Sequence, residues 1–191
     1  MDWKTLQTEQ GEWETANFGL QPAWRPLMGM GEEIGEAMHC CLKMDQGIRG
    51  TKDQHIENLK DALGDVMIYM FGFLNRSGND IMEVLDLYLE PEDLSTRYQD
   101  PVREYLFRAN TQYGMLCARY GALIYPLPSI MTFTEEKYLA LMMSSLAGVA
   151  KQLIAPRGIE SANFYLLAQT KYTWDGVVKK RDWKKNAHSG V

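Results

Sequence analysis

The sequence predicts an all-α fold. Apolar residues recur three and four positions apart through most of the chain, and glycines and prolines fall between these periodic runs. One run, Val66 to Leu74, is apolar nearly all round, the mark of a helix enclosed by other helices. At 191 residues the chain is long enough for one domain with a sizeable core.

The elements follow in order. Trp3, Leu6, Trp13 and Ala16 share one side of a first helix, which Gly19 and Pro22 close. A second helix is predicted from Trp24 to Met44, with Leu27, Met30, Ile34, Ala37, Met38 and Cys41 as its apolar stripe. Gly47 and Gly50 interrupt. A third helix spans Lys52 to Asn75, and its apolar side carries Ile56, Leu59, Leu63, Val66, Met67, Met70 and Leu74. After the turn Ser77-Gly78-Asn79-Asp80, a short fourth helix covers Ile81 to Leu89. Pro91 and Pro101 bracket a polar connection. Further helices are predicted over Val102–Tyr120, Glu135–Ala155 and Ser161–Lys184, with Tyr120–Phe133 as an extended loop. Hydrophobicity does not drop at Pro91, so residues 1–191 read as a single domain.

A net charge of −5 argues against general nucleic-acid binding. No charged-then-apolar segment opens the chain and no apolar run is long enough to span a bilayer, so a soluble cytoplasmic protein without a membrane partner is expected. Cys40, Cys41 and Cys117 fit neither a disulfide framework nor a zinc site and read as reduced thiols. Twelve methionines suit an adaptable helical core.

Two acidic clusters carry the chemistry. At 100° per residue, Glu32 and Glu36 nearly eclipse on the second helix, with Glu33 one step round. On the third, Glu57, Asp61 and Asp65 form a stripe at fourfold spacing. Both stripes lie opposite the apolar sides, as solvated faces would. Yet both run on into less polar residues: Ile68, Tyr69 and Gly72 beyond Asp65, His39 and Cys40 beyond Glu36. The carboxylates therefore sit at the edge of the interior. Like charges about 4 Å apart cost roughly 4 kcal/mol per pair at an effective dielectric of 20. Hard divalent ions between the helices would remove that cost, and oxygen-only ligands favour Mg²⁺ or Mn²⁺ over zinc.

The motifs Gly31-Glu32-Glu33-Ile34-Gly35-Glu36 and Asp61-Ala62-Leu63-Gly64-Asp65-Val66 resemble the EExxE and ExxD signature of the MazG-like all-α nucleoside triphosphate pyrophosphohydrolases. His39-Cys40-Cys41-Leu42-Lys43, Gln46-Gly47-Ile48-Arg49 and Val177 to Trp183 are similar to the small viral and bacterial branch. The likeness covers about Trp13–Leu89 and Tyr172–Lys185. It implies a helical bundle of the all-α NTP pyrophosphatase type, with roughly residues 92–169 as an inserted helical region after the fourth helix. It also implies metal ligands at Glu33, Glu36 and Asp65, with Glu32 binding directly or through a bound water. Ala62 stands where the family has Glu, and Asp61 is the substitute one position earlier. Two or three Mg²⁺ ions, replaceable by Mn²⁺, are then expected between the helices. The expected reaction is hydrolysis of a nucleoside triphosphate to the monophosphate and pyrophosphate, with Glu32 or Glu33 as the general base. Assembly as a homodimer or homotetramer is implied too, in the cytoplasm of the host cell if the protein is viral. The overall look is that of the branch acting on guanine deoxynucleotides (MazZ), which makes dGTP the first candidate, although no residue read from sequence fixes the base.

Cations and rings near the motifs complete the expectation. Lys43 and Arg49 stand close enough in sequence to meet the β- and γ-phosphates, or to be a solvated connection. Lys180 and Arg181, with Lys179, Lys184 and Lys185, crowd the C-terminal end, where they would close over substrate, cap a helix or lie solvated. Trp13, Asn17 and Phe18 resemble the family's base-side lip, a stacking ring with an amide; core packing of the two rings is the alternative. Glu36-Ala37-Met38-His39 also reads as the ExxH element of di-iron bundles, but those need two copies and this chain has one. Two other function classes stay open: a non-catalytic acidic helical binding module, and a phosphatase releasing orthophosphate.

Overall fold

The computed structural model describes residues 2–124 and 133–181, without the side chains of 122–124. Among these residues every regular element is helical. α1 spans Trp3–Phe18, α2 Trp24–Gln46, α3 Lys52–Ser77, α4 Ile81–Asp86, α5 Pro101–Ile124, α6 Glu135–Ile154 and α7 Ala162–Gly176, followed by a 3-10 turn at Val178–Lys180. The all-α expectation is met. None of the described helices is long and apolar enough to cross a membrane.

Local chemistry sets the helix ends. Asp2 caps α1 by accepting the Thr5 backbone N–H at 2.8 Å. Thr51 and Gln54 form a reciprocal capping box at the start of α3, and Asp80 and Glu83 form another at α4. Gly47 ends α2 in the left-handed region at φ 64°, where its N–H reaches the Lys43 and Met44 carbonyls.

Three boundaries differ from the sequence reading. α5 continues through Ile124, so Tyr120 to Ile124 is helix rather than loop; alanine, leucine and isoleucine in that stretch sustain it, and the prolines come after. Residues 125–132 of the predicted loop lie outside the described residues. α4 stops at Asp86, short of Leu89. α7 stops at Gly176 rather than running to Lys184, because glycine ahead of two β-branched valines ends the run and a 3-10 turn follows.

α3 is the central helix. Its residues Leu59, Leu63, Val66, Met67, Met70, Phe73 and Leu74 are fully buried. α1, α2, α6 and α7 all pack on it. α2 contributes Met30, Ile34 and Ala37 to the same core, α6 Met142, Met143 and Leu146, and α7 Leu166 and Trp174. α5 pairs with α6 and also touches α2. Helices from residues 92–169 therefore share one core with the segments that carry the acidic motifs. Cys40 and Cys41 are buried free thiols, as expected, and Cys117 is partly buried.

Small residues let the helices approach where the site is built. A Cβ at Gly64 would overlap Thr173 of α7, one at Gly29 would overlap the Tyr69 ring, and one at Gly31 would overlap the Tyr113 hydroxyl. Tyr113 also donates to the Leu27 carbonyl at 3.1 Å, tying α5 to α2. Gly64→Ala should destabilise by about 1–3 kcal/mol, the usual cost of overpacking. Gly114→Ala, where an added methyl meets nothing, should stabilise by about 0.5–1 kcal/mol through helix propensity. Urea denaturation of the two variants should move in opposite directions.

Candidate functional site

The α2–α3 contact turns both acidic stripes toward one region. Glu33 is partly buried, while Glu32 and Glu36 are exposed beside it. From α3 come the partly buried Asp65 and the exposed Asp61. Burial and then repulsion from Asp65, Glu36, Glu32 and Asp61 push the Glu33 carboxyl up to about 8. Burial and the Asp61 charge raise Asp65 to about 6, partly opposed by Arg181. The Tyr69 phenol is raised by burial and then by Glu33, Glu32 and Asp65. All five predicted carboxylates therefore share one electrostatic environment. Ala62 is buried in the core at 2 % exposure, so its position faces away from the carboxylates and Asp61 carries the oxygen there.

Two clefts meet at Glu32. The first, about 520 Å³, has Glu32, Glu33 and Asp65 at one end. Trp13, Phe18, Trp24 and Tyr69 supply its rings, Gln10 and Glu14 its polar floor, and Arg181 a cation. The second, about 580 Å³, is polar, with Glu32, Glu36, Asp61, His39 and Asn58 around it. A ligand with a flat ring and a charged tail matches this pair of spaces in kind.

The C-terminal segment forms one wall. Glu9 accepts from Trp174 Nε1 at 2.9 Å and from Lys179 Nζ at 2.7 Å. Trp13 Nε1 donates to the Arg181 carbonyl at 3.2 Å, and the Trp13 ring meets Trp174 edge-on at 5.9 Å and Phe18 at 5.7 Å. Together these contacts bring Arg181 to the carboxylates. Of the other predicted substrate contacts, Asn17 donates to the Trp13 carbonyl at 2.9 Å and is not part of the cleft lining. Lys180 is exposed on the 3-10 turn. Lys43 bonds Gln46 Oε1 at 2.9 Å, about 10 Å along the helix from Glu36 by its rise per residue. Arg49 is exposed in the left-handed region at φ 61°. Neither Lys43 nor Arg49 lines a cleft that holds the carboxylates. Asp182, Trp183, Lys184 and Lys185 lie outside the described residues.

Among the cleft residues that escaped the sequence-based assignment are Gln10, Glu14, Trp24 and Tyr69. Tyr69 was legible in part, since it follows Asp65 by four residues on the same helix face. Glu14 and Gln10 were not, because nothing in α1 signals that its polar residues are the buried ones.

The donor set fits hard divalent ions in type and in charge: five carboxylates gather there, and among the described residues the arginines lining the ring-lined cleft are Arg25 and Arg181. Among the described residues no group of three or more His, Cys, Asp or Glu is arranged to hold a metal ion. No protein-family model, curated protein or solved structure matches the chain. The family likeness thus rests on the acidic motifs and the flanking sequence segments quoted above.

Raised folded-state carboxyl pKa values make the folded chain hold more protons than the unfolded one between pH about 4 and 8. Stability of the metal-free protein should therefore fall as pH rises through that window and level off above it. Glu33→Gln should flatten the decline and raise the melting temperature at pH 8. Thermal melts in EDTA from pH 5 to 9 test this; a wild-type curve that climbs with pH would contradict it.

Proposed function

We propose that the chain hydrolyses a nucleoside triphosphate between its α- and β-phosphates, releasing the monophosphate and pyrophosphate. The observation that carries this reading is Glu33, a partly buried carboxyl repelled by four others, in a ring-lined cleft that meets a polar one at the neighbouring Glu32. Such a charge density is costly by itself and suits cations that travel with a polyphosphate.

Glu33, Glu36 and Asp65, with Glu32 and Asp61 beside them, would hold two or three Mg²⁺ or Mn²⁺ ions. When bound, such ions supply charge neutralisation for the phosphates and acidify a water. The rings of Trp13, Trp24 and Tyr69 take the base by stacking, and Arg181 faces the phosphates as a charged hydrogen-bond donor. A water oxygen bonds to the α-phosphorus in line, and the bond from that phosphorus to the bridging oxygen breaks. The electron pair leaves with pyrophosphate. The water proton passes to Glu33 or Glu32, of which Glu33 is the less exposed. The deoxyguanosine triphosphate substrate suggested by the overall look of the sequence is part of the same proposal. So is assembly into a homodimer or homotetramer, for which the exposed Leu20 and Met28 offer apolar surface.

Incubation with each triphosphate and Mg²⁺, with the products resolved, decides between the function classes. Pyrophosphate is the expected product; orthophosphate would identify a phosphatase, and no product with any triphosphate would favour a binding module. Glu36→Gln and Asp65→Asn should each lower turnover at least about a hundredfold, the scale of losing one group that stabilises reacting charge. Circular dichroism should remain helical in both variants. Glu9→Gln should instead raise KM roughly two- to tenfold with little change in kcat, because it loosens the segment that carries Arg181.

A further inference from the structure

The floor of the ring-lined cleft holds two polar side chains that the hydrolytic reading leaves unused. Glu14 is 6 % exposed and Gln10 4 %. The Glu14 carboxylate is held from both ends. Arg76 Nε lies 3.2 Å from Oε1, and the Arg76 side chain is itself only 9 % exposed. Gln10 Nε2 donates to Oε2 at 3.0 Å. The orientation of Gln10 is set in turn, because its Oε1 accepts from Asn75 Nδ2 at 2.9 Å. Asn75 is locked to Gln7 through two further hydrogen bonds of 3.1 Å. Gly72 leaves room for the pair: a Cβ there would lie 3.1 Å from Glu14 Oε2 and 3.2 Å from Gln10 Nε2, so both would have to give by a few tenths of an ångström.

We propose that Glu14 is the residue that selects the base, by accepting two adjacent N–H donors from its edge. Each carboxylate oxygen is engaged once, and a carboxylate has about four acceptor sites, so two remain for a ligand lying in the cleft. A rigid pair of acceptors wants a rigid pair of donors. Adenine sets its amino donor beside a ring acceptor, and so does cytosine. Thymine and uracil place a single N–H between two carbonyl oxygens. Guanine alone among the common bases sets a ring N–H beside an amino group. For the others, an acceptor would face the carboxylate with no proton between them, and an unpaired buried polar group is costly. The Arg76 guanidinium keeps the carboxylate charge compensated when the cleft is empty, so the reader is formed before the ligand arrives. The assignment rests on the cleft being the nucleotide site, and it makes Glu14 a specificity residue that takes no part in bond cleavage.

Equilibrium binding tests it apart from turnover. Trp13 and Trp24 line the cleft, so quenching of tryptophan fluorescence reports binding when Ca²⁺ replaces Mg²⁺. The wild-type chain should bind dGTP at least about tenfold more tightly than dITP, which lacks only the amino group; one such hydrogen bond to a charged group has that scale. dATP should bind more weakly still. Glu14→Gln should bring dGTP and dITP to within about threefold of each other. Arg76→Lys, which disturbs the same pair but keeps the carboxylate, should lower the melting temperature and retain the preference. Equal wild-type affinities for dGTP and dITP, or binding of neither, would overturn the role of Glu14. So would a folded Glu14→Gln protein with its preference intact. Discriminating binding without pyrophosphate release in Mg²⁺ would uphold it while removing the hydrolytic reading.

Discussion

The constraint on which the rest depends is the repulsion among carboxylates that α2 and α3 turn toward each other. Left alone, two such helices would slide or separate. They stay together because the opposite faces of both are committed to the core, through Met30, Ile34 and Ala37 on one and Leu59, Leu63 and Met67 on the other. Hydrophobic burial of this kind is worth about 1.5–3 kcal/mol per large side chain and is insensitive to charge. The bundle can therefore hold a locally unfavourable charge distribution at its margin. Such a margin would suit cations, because their binding would turn the repulsion into attraction and stabilise the fold.

The cleft beside that margin has a different source of order. Its walls come from α1, α2, α3 and the segment after α7, and polar contacts fix their relative positions. On one side Asn75, Gln10 and Glu14 form a ladder that ends at Arg76. On the other, Glu9 gathers Trp174 and Lys179. Buried polar groups that satisfy one another in sequence rigidify what they join. Rings then stand at fixed positions around a space that leads to the carboxylates, so a ring and a charged tail would be held in one orientation.

Much of this was readable before any coordinates, and the reasons are specific. The acidic stripes were legible because helical spacing alone places Glu32 with Glu36 and Asp61 with Asp65. The enclosure of α3 was legible because Val66 to Leu74 offers no polar face. Helix ends were legible where a capping residue or a left-handed glycine marks them, as at Thr51 and Gly47. The end of α5 was misread because the prolines after Tyr120 drew the boundary too early. The cleft floor was illegible for a physical reason. Glutamine and glutamate on an amphipathic helix normally face water, and only the partners on α3, some sixty residues away, make burial of Gln10 and Glu14 tolerable. That Lys43 and Arg49 line neither of the two clefts was equally hidden, since nearness in sequence does not bring a side chain into a cleft.

The joining of Trp13 to Arg181, and of Glu9 to Lys179, spans 168 and 170 residues. A nascent polypeptide emerging from the ribosome thus displays its acidic helices long before the cleft acquires its last wall. Until synthesis passes Arg181, the carboxylates face a cleft that lacks the wall built by Val178 and Arg181.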